Sequence, residues 1–164
     1  MTLFSRFQTF LESIPERRGW TFVGCSLLAF AGTWIAAQLL SFAILAAFPG
    51  PATSAHLFES RSGIIAGVLL APVLETVMMR GLFWLLRQLR RGKAGVLGWS
   101  TLFWWISHLA SESWGIAAAG VFWVLGVLYL AFERRSTDAA MIYVTLFHFG
   151  FNGCAYLLYA FMHH

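Results

Sequence analysis

The sequence predicts an all-α membrane protein: a polytopic bundle of about five transmembrane helices with an amphipathic interfacial helix at the N-terminus. Three observations carry this. Of the 164 residues, 59% are hydrophobic and only 11% charged, and the mean hydropathy is +0.72, outside the range of soluble domains. The apolar residues fall into long runs separated by short turns rich in Arg, Lys, Pro and Gly. The basic residues are distributed unequally between alternate turns, as in proteins that follow the excess of Lys and Arg in cytoplasmic loops.

Leu3, Phe4, Phe7, Phe10, Leu11 and Ile14 recur at spacings of three and four with polar residues between them. That pattern predicts an amphipathic helix, ended by Pro15, within a cytoplasmic interfacial segment 1–19. Trp20 to Phe48 has no charge and is about twice as long as the apolar region of a signal peptide, so it reads as an uncleaved first span, stopped by Pro49-Gly50-Pro51. Gly63 to Leu86 is the second span. Gly95 to Ser111 is a shorter, tryptophan-rich third span, and the tight connection Ser111 to Gly115 leads into the fourth, Ile116 to Phe132. Ala139 to Met162 is the fifth. Nine basic residues (Arg6, Arg17, Arg18, Arg87, Arg90, Arg91, Lys93, Arg134 and Arg135) fall on one side against Arg61 on the other. This places the N-terminus in the cytoplasm and the C-terminus outside. The pI of about 9.6 is thereby explained by topology, with no nucleic-acid partner implied; contact with anionic lipid is a second use of the basic turn. Cys25 and Cys154 lie in apolar spans with no metal spacing and read as packing residues. The whole chain, 1–164, reads as one integral membrane domain.

The second span organises the functional reading. It carries Glu75 and Arg80 in its middle, and charges at that depth are a functional hypothesis by default. Gly63, Gly67, Ala71 and Glu75 are four apart, predicting one face on which small residues admit a neighbouring helix. Counting 1.5 Å per residue puts Glu75 roughly 18 Å from the outer end of its helix and His148 about 14 Å from the inner end of its own. His108 and Asn152 come out roughly 20 Å from the inner side by the same count. One carboxylate, two imidazoles and one amide thus share a layer, with His148 and Asn152 on one helix face.

Three segments carry a resemblance: APVLETVMMRG with Glu75 and Arg80, LFWWISHL with His108, and LFHFGFNG with His148 and Asn152. They resemble the motifs EExxxR, FxxxH and HxxxN of the CPBP or Abi family of intramembrane glutamic proteases, which includes CAAX-processing and bacteriocin-processing enzymes. The likeness covers about residues 63–160, within the core spans 63–162. It implies an intramembrane endopeptidase in which Glu75, assisted by His108, activates water while His148 and Asn152 stabilise the oxyanion. Two positions depart from the pattern: Thr76 replaces the second glutamate, and Trp104 replaces the phenylalanine but keeps an aromatic wall beside His108. A glutamate at 76 would lie four residues before Arg80, the favourable ion-pair spacing, so Arg80 must find another partner. Glu112, four residues after His108, is a candidate to orient its ring.

The resemblance implies no cofactor, although Glu75, His108 and His148 also make up a zinc-type ligand set. The implied partners are a membrane-anchored protein or peptide substrate and the lipid bilayer, in a bacterial inner membrane. Two other classes remain open: a proton-linked transporter using Glu75 and the histidines as a relay, and a non-catalytic binding or immunity factor.

Overall fold

The computed structural model describes residues 2–47, 60–108 and 112–163, without the side chains of residues 41, 44, 45, 47, 112–114, 162 and 163. Pro49-Gly50-Pro51, His56 and His164 lie outside the described residues, as does the side chain of His163. The described chain is helical, with six helices: α1 (Leu3–Ser13), α2 (Gly19–Ala47), α3 (Arg61–Gln88), α4 (Lys93–Ser107), α5 (Glu112–Glu133) and α6 (Thr137–His163). Segments of α2, α3, α5 and α6 are long and apolar enough to cross a membrane. At 15 residues, α4 spans about 22 Å, less than the roughly 30 Å of a hydrocarbon core. The described residues are therefore all helical, with four helices of spanning length among them; α4, expected as part of a span over Gly95–Ser111, covers 15 residues of the described chain.

Local chemistry accounts for the ends of the helices. Thr2 caps α1, its hydroxyl oxygen accepting from the Ser5 N–H at 3.2 Å, and Pro15 then forces a 3₁₀ turn over Ile14–Glu16. Gly19 opens α2 at φ +53°, a left-handed conformation that glycine adopts without steric penalty. At the end of α3, the Arg90 N–H bonds to the Arg87 carbonyl at 2.8 Å and the Arg91 N–H to the Leu86 carbonyl at 3.1 Å, the paired bonds of a Schellman stop.

The post of the bundle is α5. In its most apolar window 78% of residues are buried, against 17% in α2 and α3, and it packs on α1, α2, α4 and α6. Its small residues allow this: Ala117, Ala118 and Ala131 are buried, and a Cβ at Gly126 would come within 3.0 Å of Leu97 and 3.2 Å of Phe83. α1 lies along the second half of α5. Its Phe4 ring meets Trp123 at 4.6 Å, while the Glu12 carbonyl at its other end accepts from Arg134. Leu11 and Ile14 are fully buried there, so α1 is docked on the bundle through its apolar stripe. At the same end Glu12 accepts from Lys93 at 2.7 Å and Gln8 at 2.8 Å, and Arg87 pairs with Glu133 through both nitrogens.

These contacts set the expected effects of substitution at two places. A Cβ at Gly150 would stand 2.9 Å from the Phe30 ring, which Phe147 and Phe151 hold in place. Gly150→Ala should therefore lower stability by roughly 1–3 kcal/mol through overpacking. Gly153→Ala, facing open space, should instead gain up to about 1 kcal/mol of helix propensity; thermal unfolding in detergent compares them. Burial raises the Glu12 pKa, but the Lys93 and Gln8 hydrogen bonds outweigh it and hold the group below the usual carboxylate range. A depressed folded-state value makes the contribution of Glu12 present above roughly pH 4 and lost as pH falls through the folded value. The difference in unfolding midpoint between wild type and Glu12→Gln should accordingly be present at pH 7 and shrink toward zero in acid.

Candidate functional site

Pro72 shapes the helix that carries Glu75. Its ring crowds the carbonyl four residues back and it supplies no N–H. Over Ile65–Leu70, just before it, α3 is π-helical, and the Ala71 N–H reaches back five residues to the Ala66 carbonyl. The extra residue in this turn shifts the register, so Gly63, Gly67, Ala71 and Glu75 do not form the straight four-residue stripe expected of a regular helix. From Ala71 onward α3 is regular, and Pro72, Thr76, Met79, Phe83 and Leu86 form its buried stripe. Glu75 lies at the edge of that stripe, its side chain 20% exposed.

The structure brings Glu75, His108 and His148 together. Glu75 Oε2 is 3.3 Å from Nε2 of His148, and Oε1 is 3.7 Å from Nε2 of His108. His108 caps α4: its ring follows the last turn, with Nδ1 2.9 Å from the Trp104 carbonyl. A carbonyl only accepts, so in this contact Nδ1 is the donor; the Ser107 hydroxyl lies 3.1 Å from the same nitrogen, and Nε2 is the ring nitrogen nearer Glu75. The Nδ1 of His148 is buried and has no hydrogen-bond partner among the described residues. A buried lone pair without a partner is less costly than a buried N–H without one, which assigns the proton to Nε2, facing the carboxylate. The Nε2 of His148 thus faces one carboxylate oxygen. The other oxygen lies 3.7 Å from the Nε2 of His108, too far for a direct hydrogen bond.

Asn152 stands one turn beyond His148 on α6. Its Nδ2 donates to the Gly67 carbonyl at 2.8 Å; that carbonyl belongs to the π-helical turn. Trp104 stacks on Phe122 at 3.9 Å with the rings 7° from parallel, and lies 5.8 Å from the His108 ring. Phe122 also meets His148 edge to face at 5.4 Å and His108 at 5.6 Å. It is the wall common to both imidazoles, and it belongs to none of the three motifs. Its only trace in the sequence is an aromatic residue in an uncharged span, which nothing distinguishes from its neighbours.

The remaining candidates stand apart. Thr76 is 1% exposed, and its hydroxyl donates to the Pro72 carbonyl at 2.7 Å. Arg80 is exposed, without a hydrogen bond or ion pair among the described residues, and within electrostatic reach of Tyr129. The side chain of Glu112 lies outside the described residues. Among those described, no three His, Cys, Asp or Glu side chains are arranged to hold a metal ion. Comparison with family models, curated proteins and solved structures returns no match for this chain.

The environment of Thr76 yields a prediction for the position where the resembled motif has glutamate. Thr76→Val keeps the shape and removes one hydroxyl that bonds an already helical carbonyl, so stability should change by no more than about 1 kcal/mol. Thr76→Glu puts a carboxylate into a closed, apolar position and should lower stability by roughly 3 kcal/mol or more. Unfolding midpoints of the two variants check the contrast.

Proposed function

We propose that this chain is an intramembrane endopeptidase of the CPBP type, hydrolysing a peptide bond of a membrane-anchored protein or peptide. The observation that supports it is the placement of one carboxylate between two imidazoles inside an apolar bundle. A bilayer protein has little structural use for such a group. Hydrolysis uses it directly: Glu75 and His108 hold a water, and Glu75 takes one of its protons as the oxygen attacks the scissile carbonyl carbon. The carboxyl then returns that proton to the amide nitrogen as the C–N bond breaks. His148 holds the resting carboxylate; once Glu75 is protonated, its N–H is available to the oxyanion.

The orientation supporting this reading is N-terminus cytoplasmic and C-terminus outside, in a bacterial inner membrane. The contacts from Glu12 to Lys93 and Arg134 and from Arg87 to Glu133 gather the ends of α1, α3 and α5 and the start of α4 on one side. Three of the nine basic residues, Arg87, Lys93 and Arg134, make those contacts. Because α4 leaves it and α5 returns to it, the C-terminal end of α6 lies opposite whether or not α4 spans fully.

The test is cleavage in cells of a reporter with a single apolar anchor by wild type, Glu75→Gln and His148→Ala. Each variant should lose at least about 10²-fold in rate. The purified protein should cleave equally with and without chelator; loss restored by zinc would turn the three residues into metal ligands. Undiminished cleavage by Glu75→Gln overturns the proposal and leaves transport or binding.

A further inference from the structure

The Gly67 carbonyl lacks both of the backbone donors that a helix would normally offer it. In a regular α-helix it would accept from the Ala71 N–H, but that group is committed to Ala66. In the five-residue register of the π turn it would accept from residue 72, which is proline and has no N–H. Both backbone donors are therefore lost at this one oxygen. In an apolar bundle an unpaired carbonyl is strongly unfavourable. Asn152 fills the gap, its Nδ2 2.8 Å from the oxygen. One turn earlier on the same face of α6, His148 meets Glu75. Two side chains of α6 thus grip α3 on either side of Pro72, one on the π turn and one on the carboxylate.

The geometry points to Asn152 as a positioning residue that latches the π turn and so fixes the rotation of Glu75 toward His108 and His148. This inference rests on the endopeptidase reading for its consequence but not for its mechanism. Without the latch, the Ala71 N–H is free to return to Gly67 and close the turn into regular α-helix. Losing the extra residue of the turn rotates the N-terminal part of α3 against the C-terminal part by about 100°. The Gly63–Gly67 face and the carboxylate then cannot both lie against α6. Pro72 creates the requirement and Asn152 meets it, so the two residues must be energetically coupled although they lie on different helices.

A double-mutant cycle reads that coupling. Pro72→Ala restores the missing N–H, giving the Gly67 carbonyl a backbone partner in either register. Asn152→Ala should lower the thermal unfolding midpoint of the purified protein clearly in the native background and much less in the Pro72→Ala background. An equal drop in both overturns the latch. Asn152→Ser, too short to reach Gly67, takes the place of Asn152→Ala in the same cycle should the latter not fold. Cleavage of the anchored reporter is the second readout. A positioning role predicts a loss in kcat on the order of tenfold or more for Asn152→Ala that shrinks when Pro72 is also replaced. A residue touching the oxyanion would instead lose the same factor in both backgrounds, and that result overturns the positioning role. If wild type cleaves nothing, the endopeptidase reading fails while the unfolding cycle still decides the latch.

Discussion

A charge that cannot leave the apolar interior must be held there by groups that have nowhere else to go. Glu75 is held in that way. His148 is buried against Phe122 and turns its Nε2 toward the carboxylate. His108 is fixed by the carbonyl of Trp104 at the end of α4. Each of these three side chains comes from a different helix, so the site exists only when α3, α4 and α6 are assembled. Phe122 of α5 touches the rings of both histidines and of Trp104, joining the site to the best-packed helix of the molecule.

Packing and chemistry therefore have different centres. The sequence draws attention to α3, because a glutamate and an arginine interrupt an apolar run. Yet α3 is mostly outward-facing, with Leu69, Leu74, Val77 and Trp84 exposed. The helix on which the others lean is α5, which carries no charge between Gly115 and Phe132. The best-packed helix is thus uncharged over that stretch, and Glu75 sits on a helix at the periphery of the bundle.

Much of the architecture is legible in the sequence because bilayer chemistry writes it plainly. Apolar run lengths locate α2, α3, α5 and α6, and the spacing of polar residues puts Glu75, His108 and His148 in one layer, where they do meet. Three features are not legible. The π turn depends on how Pro72 and its preceding carbonyls settle in three dimensions, whereas a four-residue periodicity assumes a regular helix. Phe122 has no signature because its role comes from what α4 and α6 press against it. The third is the seat of α1: an apolar stripe looks the same whether it faces lipid or α5, so spacing alone puts this helix on the membrane surface.

The length of α4 has a consequence for the surrounding lipid. Trp99, Phe103, Trp105 and Ile106 face outward from a helix of only 15 residues, beside neighbours with apolar stretches of 19 residues or more. Among the described residues, the exposed apolar belt is therefore shorter along α4 than along its neighbours. Acyl chains beside that flank must compress or splay to match it, at a cost that grows with bilayer thickness. The shorter flank carries His108 at its end, so in a bilayer that compression would fall beside the residues that gather around Glu75.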